Sequence, residues 1–297
     1  MSLFPFDDRD GIIWYDGKFC AWRDAKVHVL THGLHYASSV FEGGRVYGGI
    51  IFKLEEHTRR LFDSARIMGM TIPYTEDEIN QACRTVVADN KIVDGYLRPV
   101  VWRGSEMMAV SAQNCTVHAA IATWQWPSYF GKEARENGLR IMTAKWRRPA
   151  PDTAPVHAKA AGLYMIATMN KHAAEAAGFQ DALMLDYRGL VAEATGANFF
   201  MVRDGVIQTP IPDCFLDGIT RRTVMELARQ RGYTVIERRI APDELAMAEE
   251  MFLTGSAAEV TPIGQFDDMT FSVGPVTRNL MDDYDNFVRN TASVAAA

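Results

Sequence analysis

The sequence predicts a two-domain α/β protein of the mixed α+β kind, and three observations lead to it. Alternating apolar runs and helical runs are interspersed along the whole chain without a strict βαβ rhythm. Hairpin signals recur, at Asp16-Gly17, Gly48-Gly49 and Asp204-Gly205. A segment broken by Pro127 and Gly131, QWPSYFGKEARE, parts two stretches that are each long enough for a core of their own. The expected boundaries are a small N-terminal α/β domain at 1–124, an interdomain loop at 125–136, and a large C-terminal domain at 137–297.

In the first domain, Ile12–Trp22 reads as a hairpin around Asp16-Gly17, and Val40–Phe52 as a second with Gly48-Gly49 at its tip. Leu54, Leu61, Ala65 and Met68 share a face, predicting a helix over Leu54–Met68. Thr75 and Glu78 form a capping-box pair that opens the next helix, with Tyr74 and Ile79 as its expected staple. Alternation predicts strands at Tyr96–Trp102 and Thr116–Trp124. In the second domain, Leu139–Ala144 is strand-like. Pro149, Pro151 and Pro155 make Arg147–Val156 irregular. The Ala/Met-rich run Ala158–Ala177 reads as a helix ended by Gly178. Strands are predicted at Ala182–Asp186, Leu190–Ala194 and Asn198–Val202, and a helix at Thr220–Gln230. A strand at Thr234–Ile240, a short helix from Pro242, a strand at Met251–Thr254 and a helix after Pro275 complete the chain.

Of the 297 residues, 48% are hydrophobic and 23% charged, and the formal net charge is −6, an ordinary globular balance. No basic stripe supports a nucleic-acid partner. No apolar run reaches the length of a membrane span. The N-terminal MSLFPFDDRDG carries acids where a secretory signal needs a basic start. Four scattered cysteines without C-x-x-C spacing suit a reducing compartment. The expected location is the cytoplasm.

Chemistry concentrates around Lys159 and in EATGANFFMVRDGVIQTPIPDCFLDGITR, Glu193–Arg221. Lys159 stands among small uncharged neighbours, surroundings that favour a neutral, nucleophilic amine. Glu193 ends an apolar strand, where a carboxylate calls for a cationic partner such as a protonated ring nitrogen. Asn198 can orient that carboxylate or bond its own loop. Gly218-Ile219-Thr220 opens a helix, whose first amides suit an anion, and Thr254-Gly255-Ser256 is a second such element. Arg60 offers a bidentate countercharge. Taken singly, each of these has a plainer reading as a solvated side chain or an ordinary turn. His28, His32 and His35 have the spacing of a helical metal set. However, Val27–Leu30 and Gly33 interrupt a continuous helix, and no metal site is expected.

Together, Glu193-x-Thr195-x-x-Asn198-Phe199-Phe200, Ile207-x-Thr209 and Leu216-x-Gly218-Ile219-x-Arg221 resemble the signature of class IV aminotransferases, the fold-type IV pyridoxal-phosphate enzymes. Within them the chain is most similar to branched-chain amino acid aminotransferases. The likeness extends through AKVHVLTHGLHYASSVFEG at 25–43, HTRRLFDSARI, Tyr96-Leu97-Arg98-Pro99 and Thr254–Pro262. The resemblance implies the D-amino acid aminotransferase-like fold, with cofactor binding in the C-terminal domain. It implies pyridoxal 5′-phosphate as cofactor and transamination of leucine, isoleucine and valine with 2-oxoglutarate, by a ping-pong route through a Lys159 aldimine. By the same resemblance Tyr164 meets the cofactor's phenolic oxygen, Glu193, oriented by Asn198, meets its ring nitrogen, and Arg60, Gly218, Ile219, Thr220 and Ser256 hold its phosphate. Tyr96, Ser256 and Ala257 would take the substrate α-carboxylate, and Arg98 the side-chain carboxylate of glutamate. Phe41, Gly43, Arg45, Trp126, Tyr129 and Tyr164 would shape the side-chain pocket. Tyr36 and Val110 would come from a second subunit, so a homodimer is the smallest unit, with a trimer of dimers as a larger form.

The chain departs from the family pattern at Ala109, where glycine is common, and at Gly44, where a larger residue is common. The first change is expected to reposition the loop 103–114 and the second to enlarge the pocket; Trp102-Arg103 adds bulk and charge nearby. The rival activities are those of D-amino acid or amine transaminases and of aminodeoxychorismate lyase. A non-catalytic cofactor-binding protein is the rival from another class, and the intact Lys159, Tyr164 and Glu193 oppose it.

Overall fold

The computed structural model describes residues 5–126 and 131–295, the side chains of 291–295 excepted; Tyr129 lies outside the described residues. The chain divides into two compact units, one of Met1–Pro127 with Ala158–Gly162 and Arg289–Ala297, the other of Ser128–His157 and Leu163–Val288. The division is therefore not one cut in sequence: the segment carrying Lys159 belongs with the first unit.

The first unit is built on a sheet of β1 (Ile12–Tyr15), β2 (Lys18–Ala21), β3 (Ser39–Phe41), β4 (Gly44–Tyr47), β5 (Ile50–Ile51), β6 (Gly95–Arg103) and β7 (Val117–Gln125). Its order is β2-β1-β7-β6-β4-β5, with β3 also on β6. Both predicted hairpin turns form, with positive φ at both central residues (Asp16 46°, Gly17 82°; Gly48 55°, Gly49 82°), the twist that antiparallel neighbours require. The Val40–Phe52 hairpin is interrupted, however. β3 and β4 lie along β6 in one register, Phe41 opposite Val100 and Gly44 opposite Leu97. That register sets Glu42 opposite Pro99, which has no amide hydrogen to donate. Only the Glu42 N–H to Pro99 carbonyl bond forms there, and the ladder breaks.

Among the helices of this unit, α1 (His32–Tyr36) is short. It is followed by α2 (Leu54–Ile67) and α3 (Glu76–Asp89), where the Thr75–Glu78 capping box closes in both directions. α3 packs on β1, β6 and β7, and α2 on β3 and α3. The second unit opens with α4 (Lys132–Asn137), capped by Gly131 inside the stretch read as connection.

Its sheet contains β8 (Leu139–Thr143), β9 (Asp181–Leu185), β10 (Val191–Ala194), β11 (Asn198–Arg203), β12 (Val206–Pro210), β13 (Val235–Arg238), β14 (Glu250–Gly255), β15 (Glu259–Phe266) and β16 (Met269–Thr270). The order is β10-β9-β8-β15-β14-β11-β12-β13, with β16 on β15. A further pairing, Glu193 with Asn198, joins β10 to β11 and closes six of these strands into a ring. Leu139, Ile141, Leu183, Phe199, Met201 and Leu253 belong to the buried apolar cluster of this unit. α5 (Tyr164–Ala176), α6 (Ile219–Gln230) and α7 (Pro275–Ala295) are the remaining α-helices of the described chain.

The predicted helix Ala158–Ala177 is cut short. Regular α-helix begins only at Tyr164, after a 3-10 turn at Ala161–Leu163. Ala158–Ala160 is not α-helical, and Ala160 bridges to Val40 of β3. The alanine-rich composition favours helix by a few tenths of a kcal/mol per residue, and long-range backbone bonds override it. β12 is the second arm of the hairpin read at Asp204-Gly205, whereas strands β15 and β16 and helix α1 have no counterpart in the sequence reading; Pro262 and Gly264 within β15 disguise its alternation. Among the described residues no helix is long and apolar enough to cross a membrane. All four cysteines are free.

Candidate active site

In the first unit Lys159 is fixed by its backbone. Its N–H donates to Ser64 Oγ of α2 at 2.9 Å, and its carbonyl accepts from the Phe41 N–H at 3.1 Å. The Lys159 Nζ lies over the Phe41 ring, 4.9 Å from its centroid, and the Arg98 guanidinium lies 4.7 Å from the same centroid. Arg98 also stands 5.4 Å from the Tyr96 ring centre, and its Nε is buried without a hydrogen-bond partner. An amine and a guanidinium therefore share one aromatic ring, the two groups that a carbonyl and a carboxylate would seek.

Gly43 is required beside them. A Cβ there would stand 1.8 Å from the Tyr96 hydroxyl, so only glycine lets that phenol occupy its place. Tyr96 is directly opposite Arg45 in the β4–β6 ladder and packs against Trp126, their ring centres 5.1 Å apart. Arg45 Nη1 donates to the Trp126 carbonyl. Tyr36 and Val110 are exposed, 43% and 83%, on α1 and on the loop after β6.

Arg60, expected as a phosphate ligand, forks onto Glu42. Its Nε donates to Oε1 at 2.7 Å and its Nη2 to Oε2 at 2.9 Å. His57, one turn earlier on α2, shares Oε2 at 2.6 Å. Glu42 is fully buried. Burial pushes its carboxyl up, but the Arg60 charge and the His57 hydrogen bond outweigh it and hold the group well below its ordinary range. Burial pushes His57 down, so its Nδ1–H acts as a neutral donor to the carboxylate.

In the second unit Glu193 faces Asn198 across the strand pair that closes the ring. Asn198 Nδ2 donates to Glu193 Oε2 at 3.2 Å and to the Leu216 carbonyl at 3.0 Å. The amide thus ties the carboxylate to the loop leading into α6. Gly218 caps α6, and no side chain caps the helix. The first amides, at Ile219 and Thr220, are those a helix start offers to an anion. Gly218 also has to be glycine: a Cβ would fall 2.2 Å from Asn198 Oδ1. Arg221 is buried and locked to Asp217 Oδ1 (2.8 Å), Glu237 Oε2 (2.6 Å) and the Pro210 carbonyl (3.1 Å), which anchors the helix start. Ser256 and Ala257 occupy the turn between β14 and β15, and Thr254 beside them carries a buried Oγ1 without a hydrogen-bond partner. Tyr164 is the first residue of α5.

The family model of amino-transferase class IV matches residues 39–266. The chain belongs to the class IV aminotransferases. It is 46% identical to the branched-chain-amino-acid aminotransferase of Pseudomonas aeruginosa over 288 residues, 95% of this chain and 94% of that one. The crystal structure of the Escherichia coli branched-chain amino acid aminotransferase superposes with a TM-score of 0.92 at 36% identity, over 95% of this chain and 96% of that one. The branched-chain amino acid aminotransferase of Thermobaculum terrenum, in its PLP-bound holo form, gives 0.87 at 32%, over 95% and 94%.

This class IV aminotransferase also contains site-adjacent residues that sequence reasoning passes over. Arg148 is buried, with Nε 3.5 Å from Glu193 Oε1. It is placed by its own amide on the Leu185 carbonyl (2.8 Å), inside the proline-rich stretch read only as irregular. Glu42, His57 and Ser64 gave a signal of a kind: three polar residues at positions that burial makes costly unless they are paired. One expected departure is corrected. A side chain at Gly44 would point at Ile51, His57 and Leu97, so this glycine faces packed core and does not widen a pocket. Arg103 is taken up by Ser38 Oγ and the Met68 and Gly69 carbonyls. Ala109 offers its carbonyl to His32 Nε2 at 2.9 Å. His35 bonds the Val29 carbonyl and His28 accepts the Leu30 amide, so these two brace local backbone while His32 ties α1 to the loop after β6.

Proposed function

We propose that the protein transaminates L-leucine, L-isoleucine and L-valine with 2-oxoglutarate, using pyridoxal 5′-phosphate, to give branched 2-oxo acids and L-glutamate. The observation that carries this reading is the Phe41 ring shared by the Lys159 amine and the Arg98 guanidinium. A pocket of this kind offers apolar surface to a branched side chain and a countercharge to the γ-carboxylate of glutamate, because guanidinium both stacks and forms forked ion pairs.

The residues present fit the cofactor. The uncapped start of α6 and the buried, partnerless Thr254 Oγ1 beside Ser256 are donors suited to a phosphate. The carboxylate of Glu193, held by Asn198, suits a protonated ring nitrogen. We assign Lys159 to the aldehyde carbon, Tyr164 to the phenolic oxygen, Glu193 to the ring nitrogen, and Arg60, Ile219, Thr220 and Ser256 to the phosphate. When bound, pyridoxal phosphate supplies an aldehyde that joins amines and a ring that stores the electron pair left at Cα. The Lys159 amine takes the proton from the substrate Cα and gives one back in the opposite half-reaction, so a single base serves both substrates. Tyr96 and the amides of Ser256 and Ala257 orient the α-carboxylate. Arg98 pairs with glutamate and rests on Phe41 when the side chain is apolar.

The smallest competent unit is a homodimer, completed by Tyr36 and Val110 from a second copy. Val27, Val29, Leu30, Leu34 and Tyr36 are exposed together along residues 27–36. Beside them Ile13, Tyr15, Val100 and Trp102 line an apolar hollow of about 340 Å³, surface that a soluble monomer seldom leaves open. We place the protein in the cytoplasm, where its four free cysteines stay reduced.

The purified protein with pyridoxal phosphate should be yellow, and Lys159→Ala should lose both that absorbance and turnover. L-leucine and L-glutamate should each bleach the band, and D-alanine and a chiral arylalkylamine should not. Bleaching by D-alanine alone would replace the branched-chain reading with the D-amino acid one.

A further inference from the structure

Ser64 lies on α2 and is fully buried. Its hydroxyl accepts the Lys159 amide at 2.9 Å. On the other side of the same residue, the Lys159 carbonyl is held by the Phe41 amide at 3.1 Å, and the next residue, Ala160, bridges to Val40. The lysine is thereby pinned at both ends of its own backbone, in a segment whose composition favours helix. The strand bonds come from backbone and would survive any side-chain change in β3. Of these attachments, the Ser64 bond is the one made by a side chain. It comes from the helix that also carries His57 and Arg60, at three- and four-residue steps that keep all three residues along one face.

We propose that Ser64 is a positioning residue for Lys159: its buried hydroxyl holds the lysine's backbone in the extended, strand-bridged form, so that the amine returns to one place after each release. A lysine that acts as nucleophile and as proton carrier within every half-reaction must leave and regain the same position, and a fixed root limits the conformations its side chain has to search. Without the Ser64 acceptor, the Lys159 amide would lose this bond in a half-buried setting. The alanine-rich segment could then follow its intrinsic preference and add a turn to the start of α5.

This inference rests on the cofactor assignment above only for its kinetic consequence; its structural part is tested separately. Hydrogen exchange is measured on the full-length chain, with pyridoxal phosphate and after its removal. In wild type the Lys159 amide should be protected in both forms. Ser64→Cys keeps nearly the same volume but offers a weak acceptor, and Ser64→Ala removes the acceptor. Both should raise exchange at Lys159 about fivefold or more, the ratio for a hydrogen bond worth about 1 kcal/mol, while α3 and β6 amides keep their wild-type rates. In the loaded enzyme kcat should fall for both substrates by a similar factor, with KM changed less than about twofold. An unprotected Lys159 amide in the wild type overturns the proposal, as does a Ser64→Cys protein with wild-type exchange and kcat, since packing would then suffice. If the exchange result holds and the wild type takes up no cofactor, it is the cofactor assignment that fails.

Discussion

Replacing Gly218 by alanine tests how the Glu193 carboxylate is coupled to the start of α6. The backbone at Gly218 has φ −63° and ψ 139°, which alanine adopts freely, so the change introduces no conformational strain of its own. What it introduces is a methyl 2.2 Å from Asn198 Oδ1, where about 3.4 Å is the onset of ordinary contact. The Asn198 amide must retreat by about 1 Å, and its Nδ2 bonds to Glu193 (3.2 Å) and Leu216 (3.0 Å) have no slack to follow. Two hydrogen bonds at about 1 kcal/mol each make a loss of about 2 kcal/mol, or about 4–8 °C in Tm for a unit of this size. Calorimetry with and without pyridoxal phosphate, and a titration of cofactor affinity, measure the two consequences. Affinity should fall about tenfold or more as the ring-nitrogen partner is disordered. Gly196 supplies the control: a Cβ there meets nothing within 4 Å, so Gly196→Ala should stay within about 0.5 kcal/mol of wild type. If Gly218→Ala matched Gly196→Ala in both assays, Asn198 could not be the link between carboxylate and helix.

Three further outcomes follow from the geometry of the first unit. Arg98→Leu should lower kcat/KM for L-glutamate by about tenfold to a hundredfold, the value of a charge-assisted pair, while L-leucine loses less than about threefold; equal losses in single-turnover assays would mean that Arg98 does not read the γ-carboxylate. Glu42 and His57 govern acid stability. Glu42 is held below its ordinary 4.5 by Arg60 and His57, so its contribution is complete above that value and is lost as pH falls toward the folded one. His57 is pushed below its ordinary 6.5, so the unfolded chain binds a proton first and stability begins to fall below about pH 6.5. Urea midpoints from pH 8 to pH 4 should therefore decline in wild type, and His57→Gln should flatten the part of the decline that begins below about pH 6.5. Glu42→Gln should be destabilised by about 3–5 kcal/mol at pH 7, because it removes the buried carboxylate onto which Arg60 forks and His57 bonds.

Much of the architecture was legible because local rules decide it. Asp16-Gly17, Gly48-Gly49 and Asp204-Gly205 turn as their side chains allow, and Thr75 with Glu78 caps α3 without help from elsewhere. The breaks in that reading are long-range. Pro99, on β6, interrupts the ladder at Glu42 by lacking a donor. The Ala-rich run at 158–163 surrenders its helical preference to Ser64 and β3.

For the site, residue types and spacing were enough to select the donors: an amine among alanines, a carboxylate at a strand end, and glycines before helices. These are properties of short segments, and short segments keep them in any fold that exposes their ends. Tertiary structure alone decided which donors answer to which. It joined Glu193 to Asn198 by closing a ring of strands, set Arg60 and His57 on one buried carboxylate, and placed Lys159 and Arg98 over Phe41. Most of those pairings join residues far apart in the chain. They are favoured because burying a polar group is costly unless the fold brings a partner to it, a constraint that appears only once the chain has folded.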